Sequence, residues 1–207
     1  MGRRGRPRAF DRAAALRTAM EMFWRHGYEG VSIKMLEERL GIAATSLYAA
    51  FGSKDALFDE AVEMYDPDGA TPTDRALRLP HVREVVEALL RDNAEAYVDP
   101  TTPAGCMLVV AAVNLSSGHD HVGEKLAARR RRDSEKIRRR IERAVRDGEL
   151  PRRMDPARAS SYLVTVLHGL SIQARDGCTR DEAVGIVTAA LGGWDALVDD
   201  AAALSRS

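Results

Sequence analysis

The sequence predicts an all-α protein, with a small N-terminal three-helix unit followed by a larger helical body. Three observations lead there. Apolar residues recur at i, i+3, i+4 and i+7 through most of the 207 residues. No stretch shows the period-two alternation of a half-buried strand. The Ser, Thr, Asp, Gly and Pro residues that punctuate the chain fall where helices start and stop.

Residues 1–9, MGRRGRPRA, form a basic arm without apolar periodicity, which is expected to order only against a polyanion. The first helix spans about 11–26, with Leu16, Ala19, Met20 and Phe23 on one face and Gly27 ending it. Ser32 is a suitable N-cap for a short helix to Leu40, where Leu36 and Leu40 lie one turn apart. Gly41 suits the left-handed position beyond a helix end. A second short helix covers about 43–51, with Leu47 and Phe51 directed inward, and Ser53 caps the next.

Downstream, residues 67–80 are rich in breakers and read as a loop with one short helical turn. An amphipathic helix covers about 81–98, and an apolar, buried helix about 106–116. A long helix covers 122–146, with Leu126, Ile137, Ile141 and Val145 on its apolar side. Asp155-Pro156 opens another helix, and Thr179 caps the last. The last two helices are apolar over more than one stripe, more than a single small domain hides. No internal repeat is visible.

Composition narrows the function. No run of eighteen apolar residues predicts a membrane span, and the basic N-terminus lacks the apolar core of a secretory signal, so a soluble cytoplasmic protein is expected. Cys106 and Cys178 have no metal-type spacing, and a disulfide is not expected in that compartment. Formal net charge is +0, yet residues 1–54 carry ten Lys/Arg against five Asp/Glu. That local excess is what a phosphate backbone would meet. No activated nucleophile with a nearby base, phosphate-cradling glycine loop or paired carboxylates of helical spacing stands out, so an enzyme is not expected, nor any cofactor or metal. His119-x-His121 lacks a full ligand set and reads as a solvated turn. Residues 129–153 hold twelve Lys/Arg against five acids; the interleaved Asp133, Glu135 and Glu142 make this the solvated face of a long helix.

Two short helices joined by a tight glycine turn are a helix-turn-helix, whose second helix enters the major groove of DNA. The stretch resembles the DNA-binding domain of the TetR family of bacterial transcriptional regulators. The matching positions are Phe23, Gly27, Ser32, Ile33, Leu36, Gly41, Ile42, Leu47, Tyr48, Phe51, Lys54 and Leu57, within roughly residues 10–65. The resemblance implies a basic arm (1–9), a DNA-binding domain (10–54) and a ligand-binding and dimerisation domain (55–207). It implies a repressor that a small-molecule inducer releases from a palindromic double-stranded operator, and a homodimer formed through the last two helices.

The expected DNA contacts divide by chemistry. Ser32 and Tyr48 offer hydroxyls to phosphates, and Lys54 brings charge to a helix N-terminus. Ile33, Lys34, Ala44, Thr45 and Ser46 match the motif's DNA-facing positions, and Arg6 and Arg8 would extend from the arm. The second helix is short of long polar side chains, so readout falls to Thr45, Ser46 and Lys34, with alanines against thymine methyls and a share from DNA shape. For the ligand, Tyr65, Asn93, Tyr97, Met107, Asn114, His168 and Gln173 bring polar or aromatic character to apolar helices. Cys106, at an expected helix start, would have a lowered pKa, and so would suit redox or electrophile sensing.

Overall fold

The computed structural model describes residues 11–111 and 115–206. Its helices are α1 (Arg12–Gly30), α2 (Ile33–Leu40), α3 (Ala44–Phe51), α4 (Lys54–Tyr65), α5 (Pro72–Ala76), α6 (Val82–Tyr97), α7 (Met107–Val110), α8 (Asp120–Asp147), α9 (Pro156–Arg175) and α10 (Arg180–Arg206). No strand occurs among the described residues, and no helix among them is long and apolar enough to cross a membrane. Arg6, Arg8 and Asn114 lie outside the described residues.

Local chemistry sets most of these ends. The Asp11 carboxylate accepts from Ala14 N at 3.0 Å, Ser32 Oγ from Met35 N at 3.2 Å and Ser53 Oγ from Ala56 N at 3.0 Å, starting α1, α2 and α4. Gly41 takes the left-handed conformation (φ 68°) that turns α2 into α3. Thr71 and Asp74 form a capping box at α5. Thr179 and Glu182 exchange the same reciprocal hydrogen bonds at α10. Asp155 caps α9, with Pro156 in its first turn.

The apolar stretch 106–116 departs from expectation. Among the described residues there, Met107–Val110 is helical, and Leu115 and Ser116 are not. Gly27 supplies the reason. Its backbone (φ 73°, ψ 169°) breaks α1 and turns Tyr28 N–H out of the helical ladder. That N–H donates to the Ala111 carbonyl at 2.8 Å, so this carbonyl is engaged by α1 instead of by a continuing α7.

Two apolar cores result. The first joins α1–α4 to α7 and the first turns of α8, with Phe23, Tyr28 and Phe58 in mutual aromatic contact and Leu36, Leu47, Met107 and Leu126 fully buried. The second joins α6, the rest of α8, α9 and α10 around Leu89, Leu90, Ile141, Leu163 and Trp194. Helices α7 and α8 therefore enter the core of the N-terminal unit.

Ion pairs reinforce that junction. Along α4, Asp55, Asp59, Glu63 and Asp66 meet His121, Lys125, Arg129 and Arg132 of α8 in one register. Arg129 also reaches the buried Asp66 at 3.1 Å. Arg140 is buried, and holds Glu149 at 3.0 Å and the Pro80 carbonyl at 2.8 Å. The basic run is thus only partly a solvated face. Arg129 and Arg140 are structural cations, because acids from α4 and from the turn after α8 reach them.

Candidate nucleic-acid interface and internal cavity

Buried Leu47 and Phe51 fix the inner side of α3, leaving Thr45, Ser46, Tyr48 and Ala49 exposed on its outer side. Tyr48 is 46% exposed, unusual for so large a ring. Lys34 stands free of the surface except for a 4.0 Å approach to Glu38. Ser32 Oγ accepts a hydrogen bond from the α2 backbone, which leaves its hydrogen free to donate to a phosphate. Ile33 and Ala44 are half-buried at the starts of α2 and α3.

Two residues that the sequence reading passed over hold α3 in place. Ala43 offers no side-chain cap, so Glu37 of α2 reaches across and accepts from Ala44 N at 2.5 Å. Arg12 donates to the Ala50 carbonyl at 3.2 Å, pairs with Glu60 at 2.7 Å and covers the Phe51 ring at 4.5 Å. A cation at the last carbonyls of a helix is the favourable placement. Lys54 differs from expectation: its ammonium sits 4.1 Å over the Tyr28 ring, half-buried, and desolvation lowers its pKa against the raising influence of Glu29 and Asp55. Its charge is turned toward that cluster rather than outward.

An internal cavity of about 330 Å³ lies between α4, α6, α8 and α9. Tyr65, Asn93, Tyr97 and His168 line it, as does Cys106. Met107 does not; it is fully buried in the N-terminal core because α7 is pulled against α1. Gln173 faces a shallow outer groove between α9 and α10. The reading had missed Trp24, Thr73, Arg130 and Asp133, which also line the cavity. A signal for two of them was present. Residues 126, 130, 133, 137 and 141 follow the helical period, so Arg130 and Asp133 fall on the apolar stripe of Leu126, Ile137 and Ile141.

The Cys106 environment reverses its expected chemistry. Helix α7 has four residues, too few for a useful dipole. Burial pushes the thiol pKa up, although a hydrogen bond from Tyr65 acts the other way. Burial raises the phenols of Tyr65 and Tyr97 well above their ordinary value, and the neighbouring Cys106 adds to both shifts. The segment is pinned from two sides. Trp24 Nε1 donates to the Gly105 carbonyl at 3.1 Å, and Cys106 N donates to Ser171 Oγ at 2.7 Å. A Cβ at Gly105 would lie 2.5 Å from the Ser171 carbonyl, and φ there is 78°, so only glycine fits this approach. His119 and His121 reach different carboxylates, Glu29 at 2.7 Å and Asp55 at 3.1 Å, rather than a common centre.

Comparison with known proteins agrees with this geometry. The family model "Bacterial regulatory proteins, tetR family" matches residues 15–61, and "Tetracyclin repressor-like, C-terminal domain" matches residues 80–201. The chain is 32% identical to the HTH-type transcriptional repressor ComR of Escherichia coli (strain K12), over 94% of each chain. It is 31% identical to the HTH-type transcriptional repressor BdcR of the same organism, over 91% of this chain and 90% of that one. Among solved structures, a cysteine mutant of the TetR family transcriptional regulator CifR, complexed with 26-bp double-strand operator DNA, superposes with a TM-score of 0.85. The two chains are 39% identical, over 92% of this one and 100% of that one.

Proposed function

The chain belongs to the TetR family of bacterial transcriptional regulators, and from that premise we propose that it is a cytoplasmic, homodimeric repressor which a small molecule releases from a palindromic operator. In this reading residues 1–9 are a phosphate-tracking arm, 10–54 the DNA-binding domain and 55–207 the effector and dimerisation domain. Ser32, Tyr48 and, more weakly, Lys54 anchor phosphates. Lys34, Thr45 and Ser46 face bases, with Ile33 and Ala44 in apolar contact and Arg6 and Arg8 reaching from the arm. CifR was solved on operator DNA, which supports DNA as the partner.

One observation carries the coupling of effector to DNA. The cavity takes part of its wall from the DNA-binding domain, through Trp24 of α1, and from the linking helix α4, through Met64 and Tyr65. The other end of α4 begins three residues after the recognition helix ends. A ligand that favours one position of α4 therefore favours one separation of the two recognition helices, a coupling between two sites. The dimer face is α9 and α10, where Ile172, Val184 and Leu204 are 38%, 48% and 57% exposed. A two-fold dimer matches a palindrome.

The experiment is operator selection from genomic fragments by the purified protein. The expected result is a palindromic site, whose binding falls to the random-DNA level in Thr45→Ala/Tyr48→Ala. Retention of all fragments alike would defeat the reading. A second reading is electrophile sensing through Cys106, which lines the cavity, and it asks the cavity to hold its compound against a thiol that burial has made slow. An α,β-unsaturated carbonyl entering the cavity would bond its β-carbon to the sulfur and take the thiol proton at its α-carbon, and the adduct would release DNA. Unchanged release by such compounds in Cys106→Ser would end that second reading.

A further inference from the structure

We propose that the effector is a small, mainly apolar carboxylate whose charged end is held by Arg130; this rests on the cavity being the effector site. Within the run Arg129–Arg132, Arg129 and Arg132 turn toward α4 and are neutralised by Glu63, Asp66 and Asp68. Arg130 turns the other way, into the cavity, from the stripe position between Leu126 and Ile137. Among the described residues no carboxylate lies within ion-pair distance of it. Its partner is the Leu108 carbonyl, which accepts from Nη1. A guanidinium has five donors in a planar fork, so one neutral acceptor leaves a bidentate edge unmet.

The neighbouring groups sharpen the choice of ligand. Asp133, one turn along, is held by Lys136 at 3.3 Å, so its charge is met there rather than by Arg130. His168, across the cavity on α9, has a lowered pKa, first through burial and then through Arg130, so it stays neutral near pH 7. A neutral imidazole beside a half-buried guanidinium can add one more hydrogen bond to a carboxylate without competing for it. Burial lowers the Arg130 pKa as well, and a bound anion would relieve that desolvation. Leu108, Val109, Ile137, Val164 and Leu167 give the wall an apolar side that suits a hydrocarbon body, beside the polar Asp66, Thr73, Asn93 and Asp99. A cavity of about 330 Å³ admits a short chain or single ring.

The test uses the full-length protein on its selected operator. Octanoate and phenylacetate are compared with their methyl esters and with the matching alcohols, by calorimetric titration and by operator release. The expected result is that the carboxylates bind and release DNA and the neutral analogues bind at least about tenfold more weakly, the loss of one charge-assisted contact. Arg130→Gln should remove that preference, and Arg130→Lys should restore part of it, since a lysine keeps the charge but not the fork. Operator binding without ligand, retained in both variants, reports that they fold. The proposal is overturned if esters bind as well as acids, if Arg130→Gln leaves carboxylate affinity unchanged, or if neither acid binds. Esters that bind and release DNA would leave the cavity as effector site. The broader reading fails separately if every bound probe still binds the cavity-filling variant Val164→Phe.

Discussion

Single residues decide the chemistry of the cavity and the aim of the reading head. Cys106 shows why position along a chain is a poor guide to reactivity: the apparent helix start suggests an activated thiol, while burial raises its pKa. In a Cys178→Ser background, iodoacetamide should therefore label Cys106 of the native protein at neutral pH far more slowly than that of urea-unfolded protein, with the native rate climbing only above about pH 9, the ordinary thiol value. Fast labelling at pH 7 would contradict this environment. Arg130 and Asp133 were legible in principle, since two charges interrupt an apolar stripe. Which way Arg129 and Arg132 turned was not, because their acids sit on α4 and at its C-cap Asp66, over sixty residues away. Glu37 and Arg12 were hidden for the same reason: each acts on a different helix.

Elements were the most legible level. Ser32, Ser53, Asp155 and Thr179 cap within three residues of themselves, so sequence alone places those starts. The 106–116 stretch failed because a distant N–H, that of Tyr28, takes its carbonyl. Close packing of α9 on α10 depends on Gly193, where a Cβ would collide with the Tyr162 hydroxyl, itself donating to the Ala190 carbonyl at 2.8 Å. Gly193→Ala should lower stability by about 1–3 kcal/mol in urea unfolding, the usual range for overpacking. Adding Tyr162→Phe should recover part of it, and full additivity of the two losses would show that they do not touch. At the α1–α8 junction, Glu29 accepts from Ser116 N and Oγ, and these bonds lower its pKa to about 2 from 4.5. Its folded pKa lies below the unfolded one, so its stabilisation is complete above pH 4.5 and fades as pH falls toward 2. The difference in urea midpoint between the native chain and Glu29→Gln should shrink over that window; a constant difference would contradict the linkage.

At the scale of the whole molecule, the two cores explain how a body can act on a head. Helices α7 and α8 are packed into the head's core, the α4–α8 ion pairs run along the joint, and Trp24 and Tyr65 belong at once to the head and to the cavity wall. Exposed ladder pairs each contribute little, about 0–1 kcal/mol, so they set register rather than stability. The all-helical architecture and the helix-turn-helix were both readable from the chain, because each rests on local periodicity and caps. The cavity was readable only as a list of candidates, because its walls come from seven helices. The most direct test of the account is a hydroxyl-radical footprint of the full-length protein on its selected operator, with and without Thr45→Ala/Tyr48→Ala. The account predicts two protected half-sites related by a dyad, with centres one helical turn of about ten base pairs or a multiple apart, both lost together in the double variant. A single unsymmetrical footprint, or protection that survives the substitutions, would contradict it.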